Sequence, residues 1–542
     1  MIGSAARWFD AAVLDLGRQF RWTYVPPMMV YLAAGISGLT AIVGTFFIKE
    51  HLGLSAAFLA GLAFWAGIPW VLKMPLGQLV DAIWRWKFML VYLGATLIGA
   101  SIAIMYGLIA HPDAMRHWMS AESWYVLSTL LAPVGYVVQD VVADAMTVEA
   151  VPLVDESGRP LPEGDIKAMH TTMQTLGRMA IISGSLAVAA LNIFMLSGAS
   201  EQSPTQRAAT YADVYLVALA IPAISVLGVI LGQVSLRVRR QRRPDGSCAD
   251  FDREAAASST RAAVTPSWVI FGGTLVFVAF TLGLGFSDIV LAQEITFVGS
   301  LAIVLFLMRL LLRELPSPQR RALVGTAIIL FIFRAVPLPG AGATWWQIDV
   351  LGFDPQFLSV LTLVTALLTI GGMIVLRPMM ASAPIARVVA ILSIAGGAMW
   401  LPNIGLFYGL HEWTMSVTGG VVDARFIAIL DTALESPLSQ IAMIPMLAWI
   451  AKNAPAHLKA TFFAVMASFA NLALSASGLA TKYLNLTFVV TREIRDPATG
   501  VITVHANYDY LGVLLIAVAS VAVIAPLMTI ALVQRSRLHT QQ

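Results

Sequence analysis

The sequence predicts an all-α polytopic membrane protein, with about 14 spanning helices grouped in two bundles. Three observations carry that prediction. The 542 residues are 58% hydrophobic and only 12% charged, about half the charge an average soluble domain carries. Apolar runs long enough to cross a hydrocarbon core recur from end to end. One strongly basic stretch, 237–266, divides the chain, and features that precede it return after it. The same totals exclude a disordered chain, a nucleic-acid binder and a secreted disulfide scaffold. The net charge is only +3, and the single cysteine, Cys248, cannot form an internal disulfide.

Residues 1–27 are read as a cytoplasmic amphipathic segment. Trp8, Phe9, Ala12, Leu16 and Phe20 recur at helical spacing among Arg7, Arg18 and Arg21, while Asp10 and Asp15 interrupt any signal-peptide core. An N-terminal bundle, 28–236, follows, with spans at roughly 28–48, 55–80, 87–110, 123–149, 168–196 and 211–236. The segment 237–266 is a cytoplasmic basic loop. Two further spans, at roughly 267–286 and 289–312, come next, and then a C-terminal bundle, 322–533. Its spans lie at roughly 322–345, 356–376, 386–408, 419–450, 458–484 and 510–533, and 534–542 form a cytoplasmic tail. Strands are not expected, because alternating ten-residue segments are absent.

Charge sets the orientation. With the N-terminus inside, the inner segments hold 23 Lys and Arg residues and the outer segments 5 (Lys49, Arg116, Arg207, Arg492 and Arg495). Both termini are therefore predicted to be cytoplasmic, in an inner (plasma) membrane.

The halves also resemble one another. LGLSAAFL at Leu52–Leu59 returns as LGFDPQFL at Leu351–Leu358, and Asp140 and Asp144 return as Asp431 and Glu435 at the same four-residue spacing. On this register 267–312 is an inserted helix pair and 322–345 is the true seventh helix. Related halves point to a transporter with its site at their interface.

Ionisable residues within spans are costly and face a bundle interior or an aqueous path. The fourth span places Asp140 and Asp144 on one helix face. The fifth supplies Gln174 and Arg178, and the seventh supplies Arg334. The expected pairs are Arg178 with Asp140 or Asp144, and Arg334 with Asp431 or Glu435, either as exchangeable partners of a substrate carboxylate and a proton or as static interhelical pairs. Arg334 precedes AVPLPGAG, Ala335–Gly342. That segment is either a broken helix beside a binding site or a helix ending early in an outer loop. Lys73, Gly77, Asp81 and Arg85, at the inner end of the second span, read as a cytoplasmic latch, with Lys73 reaching inward to the interface. No P-loop, metal-ligand cluster or Ser/His/Asp constellation stands out, so neither an enzyme nor a resident cofactor is expected.

The spacing Gly77, Asp81, Arg85 resembles the loop motif of the major facilitator superfamily. More specific segments resemble its folate–biopterin transporter family: Pro69–Asp81, Asp140–Glu149, Met173–Gly184, Phe333–Leu361 and Asp431–Gly478. The resemblance implies a major-facilitator-like fold of twelve core helices plus the inserted pair. It also implies an alternating-access carrier, typically proton-coupled, for pteridines such as folates and biopterin. The family's buried acids and arginines would map to Asp140, Asp144, Arg178 and Arg334. The expected partners are thus a small-molecule substrate (a pteridine or another organic anion), protons and the lipid bilayer, with no nucleic acid. The alternative is a non-transporting assembly factor or receptor on the same fold.

Overall fold

A computed structural model describes residues 20–538 apart from 72, 84–85, 153–158, 160, 242–279, 281–282, 285–288, 290, 314–315, 381–384, 442–458 and 496–501. The expected segment 1–27, the basic loop 237–266 and the first inserted helix thus lie largely outside the described residues.

The first span is two helices, α1 (Val25–Ile36) and α2 (Ala41–His51), joined by a 3₁₀ turn at Ser37–Thr40. Pro26 and Pro27 open α1, where their missing N–H groups are lost at no cost. In the second span, expected over 55–80, the described residues form α3 (Ala56–Val71) and α4 (Lys73–Ala82), with residue 72 between them outside the description. Then come α5 (Lys87–Ala110), the short α6 (Pro112–Trp118), α7 (Ala121–Ala150) and α8 (Glu163–Met195). The sixth span is α9 (Pro204–Ala218) and α10 (Ala220–Gln241). Ser203 caps α9 in a reciprocal box with Gln206.

Beyond the basic segment stand α11 (Ala292–Leu312), α12 (Ser317–Arg334), α13 (Ala341–Asp349), α14 (Pro355–Met380) and α15 (Ile385–Phe407). The chain ends with α16 (Leu410–Thr418), α17 (Ala424–Ile441), α18 (Lys459–Thr487) and α19 (Leu511–Arg535). Among the described residues, eight helices are long and apolar enough to cross a membrane. One expectation fails between α18 and α19. There β1 (Ile494–Arg495) and β2 (Ile502–Val504) form an antiparallel hairpin. It pairs its own backbone in a loop outside the spans, where a hydropathy pattern carries no signal for it.

The helices form two bundles. In the first, α5 lies on α7 and α1 lies on both α8 and α10. Gly94 and Gly135 face each other at the α5–α7 crossing, where a Cβ on either would strike the other helix's backbone. In the second bundle α14 lies on α17, and α19 packs on α12 and α15. The halves meet along α3 with α18 and along α8 with α14. Asn471 Nδ2 of α18 donates to the Trp70 carbonyl of α3 at 3.1 Å across that seam. The inserted helix α11 packs outside this crossing, on α18 and α3. Gln293 Nε2 donates to the Gly61 carbonyl at 3.3 Å, and Glu294 takes Lys482 at 3.0 Å and Tyr483 Oη at 2.7 Å.

The break after Arg334 is a true interruption of a span, because the helix resumes at Ala341. Gly340, at φ +80° and ψ −171°, takes a positive-φ extended conformation that favours glycine. Its freed backbone is satisfied by one stripe of α18, with residues spaced four apart. Ser477 Oγ donates to the Val336 carbonyl at 2.6 Å, Thr481 Oγ1 accepts from the Leu338 N–H at 2.9 Å, and Asn485 Nδ2 donates to the Pro339 carbonyl at 3.1 Å. Irregular backbone at membrane depth persists only with such partners.

Candidate functional site

The acids of α7 are held by a lysine. Lys73 Nζ lies 2.5 Å from Asp140 Oδ2 and 2.8 Å from Asp144 Oδ2. Asp140 and Asp144 sit one turn apart on α7, so a single ammonium reaches both. Tyr31 of α1 completes the cluster, its hydroxyl donating to Asp144 Oδ1 at 2.6 Å. Asp140 is the enclosed member, 15% exposed, and Asp144 the accessible one, at 42%.

This corrects two expectations. Lys73 does not act as an interfacial latch residue. From the inner part of the second span it reaches Asp140 and Asp144 on α7. Arg178 makes no direct ion pair with Asp140 or Asp144, because Lys73 occupies both. It stands a step back on α8, half-buried, close enough for its charge to act on Asp140, Tyr31 and Arg334. Arg334 ends α12 immediately before the broken segment. The site thus draws Tyr31, Lys73, Asp140, Asp144 and Arg178 from the first half and Arg334 from the second.

The other predicted residues fall elsewhere or outside the description. Asp431 is buried in the second bundle and accepts from Asn403 Nδ2 of α15 at 2.6 Å. The side chains of Glu435, Gln174 and Asp81, and all of Arg85, lie outside the described residues, while Gly77 is half-buried on α4. On the side where α1 begins, Lys87, only 2% exposed, pairs with Glu149 and joins α5 to the end of α7.

On the opposite side the halves are latched. Lys49 at the end of α2 pairs with Asp349 at the end of α13. Tyr508 Oη donates to the same carboxylate at 2.5 Å. Burial, reinforced by that bond, pushes the Tyr508 hydroxyl above its usual range. Arg492 is buried at 3% exposure over the Trp345 ring, 5.3 Å from its centroid, and burial pulls it down to about 10. Sequence reasoning counted Lys49 and Arg492 only as loop charges and missed Tyr31 and Asn403. A tyrosine or asparagine in an apolar run has no partner until the helices are packed.

Two helical bundles crossing at α3–α18 and α8–α14, around a charged cluster at membrane depth, define a multi-pass membrane transporter of the major-facilitator fold. The solved structures it resembles agree on that fold. A POT family transporter in complex with 5-aminolevulinic acid is 13% identical, with 97% of this chain and 96% of that chain covered and a TM-score of 0.58. A D-xylose-proton symporter is 12% identical, with coverages of 94% and 95% and a TM-score of 0.52. The chain belongs to the BT1 family, whose profile matches residues 34–542. It is similar to the folate-biopterin transporter of Synechocystis sp., 21% identical over 475 residues, which is 84% of this chain and 74% of that protein.

Proposed function

We propose that the protein is a proton-coupled carrier of an organic anion, of the folate or pteridine class, working by alternating access. The observation that carries the reading is Lys73 bridging Asp140 and Asp144, with Arg178 and Arg334 behind them. An arginine cannot readily shed its charge, so the Arg178 guanidinium beside the cluster suits a substrate carboxylate through charge-assisted hydrogen bonds. The aspartates supply groups that exchange a proton for the ammonium as the substrate comes and goes. The name of the Synechocystis relative supports the substrate class.

The Lys and Arg asymmetry supports a cytoplasmic location for the side where α1 begins. A membrane-impermeant thiol reagent is then expected to leave Cys248 unlabelled in intact cells, and strong labelling of correctly inserted protein contradicts that placement. The decisive test is uptake of labelled folate into proteoliposomes with and without a proton gradient. Gradient-dependent accumulation is expected. Folate binding without any uptake favours a receptor instead.

A further inference from the structure

The first bundle contains a cavity of about 430 Å³ that the charged cluster does not use. Among the described residues no ionised side chain lines it. Its walls offer hydroxyls and aromatic faces: Ser37, Thr40, Trp70, Tyr125, Tyr136 and Tyr215. That volume lies within the range of small-molecule sites, where a few polar groups orient a ligand against aromatic walls.

Three helices lose their regularity at this cavity. The first span turns 3₁₀ at Ser37–Thr40. In α7, Pro133 lines the cavity and leaves the Thr129 carbonyl, also in the lining, without its helical donor. The sixth span breaks between Ala218 and Ala220, flanked by the lining residues Tyr215 and Ile221. Irregular backbone at membrane depth is tolerated where it is buried in protein or borders a cavity, and broken helices mark substrate sites in carriers. The cavity also abuts the charges. Trp70 lies three residues before Lys73 on the second span, and Tyr136 four before Asp140 on α7, so its floor is about one helical turn, roughly 5 Å, from the cluster.

From this placement we infer that the cavity holds the uncharged, planar, hydrogen-bonding ring of the transported anion, while the anion's carboxylate lies at Arg178. The inference rests on the carrier reading above and adds the orientation of the substrate. A neutral heteroaromatic ring fits hydroxyl partners and aromatic faces. A carboxylate would find no counter-charge there and is directed one turn away.

The test is equilibrium binding to the full-length protein in nanodiscs with three probes: folic acid, 6-hydroxymethylpterin (ring without carboxylate) and benzoyl-glutamate (carboxylates without pterin). Ala132→Phe and Ala66→Phe fill the cavity from different helices, and Ser37→Ala with Tyr136→Phe removes hydroxyls without adding bulk. Each is expected to weaken folic acid and 6-hydroxymethylpterin by about tenfold, or about threefold for the hydroxyl pair, and to leave benzoyl-glutamate within about twofold. Arg178→Ala is expected to do the reverse. Wild-type affinity for the pterin in all three cavity variants overturns the inference and leaves the carrier reading standing. Equal losses for all three probes overturn the separation of ring and carboxylate. Binding of the pterin alone, with neither carboxylated probe bound, supports the cavity and removes the anion reading, whereas no binding of any probe removes both.

Discussion

Lys73→Met is the most informative single change. At 2.5 and 2.8 Å from Asp140 and Asp144, and at an effective dielectric of about 20, the ammonium gains about 6 kcal/mol from each carboxylate before desolvation. Desolvating the lysine offsets most of that, and Asp144, at 42% exposure, is partly screened by water. Removing one partner of a buried pair costs about 3–5 kcal/mol, and the partial exposure here favours about 3. That energy is about two orders of magnitude in an equilibrium. The conformation with Lys73 bridging α7 is expected to lose that much weight, with a proton taking the place of the ammonium between the acids. In proteoliposomes, gradient-driven accumulation should fall about 100-fold, while counterflow without a gradient falls less than about tenfold. Lys73→Met/Asp140→Asn should recover counterflow and expression but not accumulation. Wild-type accumulation and pH dependence in the single variant, at normal expression, would refute the exchange of lysine for proton. Equal loss of both transport modes, restored together by the second change, would reduce the cluster to a static ion pair.

Arg178→Ala should raise the half-saturating concentration of a carboxylated substrate at least about tenfold with proton dependence retained, measured as uptake against substrate concentration at two pH values. Asp349→Asn removes a half-exposed pair with Lys49 worth about 1 kcal/mol, so Ile348→Cys in a Cys248→Ser background should be modified about fivefold faster by a thiol reagent applied from the latched side. Thr481→Val removes the partner of the part-buried Leu338 N–H at a cost of about 1 kcal/mol, visible as a lower unfolding temperature in detergent, and Thr481→Ser should restore it.

The extent of the helices was legible because apolar length is a property of the chain alone. The interior acids and arginines stood out for the same reason, since a charge in an apolar run is conspicuous without any fold. Their pairing was not legible. Arg178 and Asp140 match in depth, yet it is Lys73 of the second span that pairs with both acids, a partnership set by how the helices pack. Whether the chain after Arg334 breaks or simply ends is settled by Ser477, Thr481 and Asn485, which lie about 140 residues away and carry no mark of that role. The latch of Lys49, Asp349 and Tyr508 gathers residues from three separate parts of the chain, beyond the reach of any periodicity.

Asp140 and Asp144 meet a lysine from another span, and Asp431, at the corresponding position, accepts from Asn403 within its own bundle. The spacing survives in both halves, but among the described residues the acid–ammonium cluster belongs to the first. The second contributes Arg334, fixed to the broken segment that α18 clamps through Ser477, Thr481 and Asn485. That same α18 crosses α3, where Asn471 holds the Trp70 carbonyl three residues before Lys73. One helix therefore ties the position of Arg334 to that of Lys73. If the bundles rock about the α3–α18 seam, the second half's arginine must shift against the first half's lysine and acids, and that displacement is what a carrier needs to link the charge on its substrate to the proton on its own carboxylates.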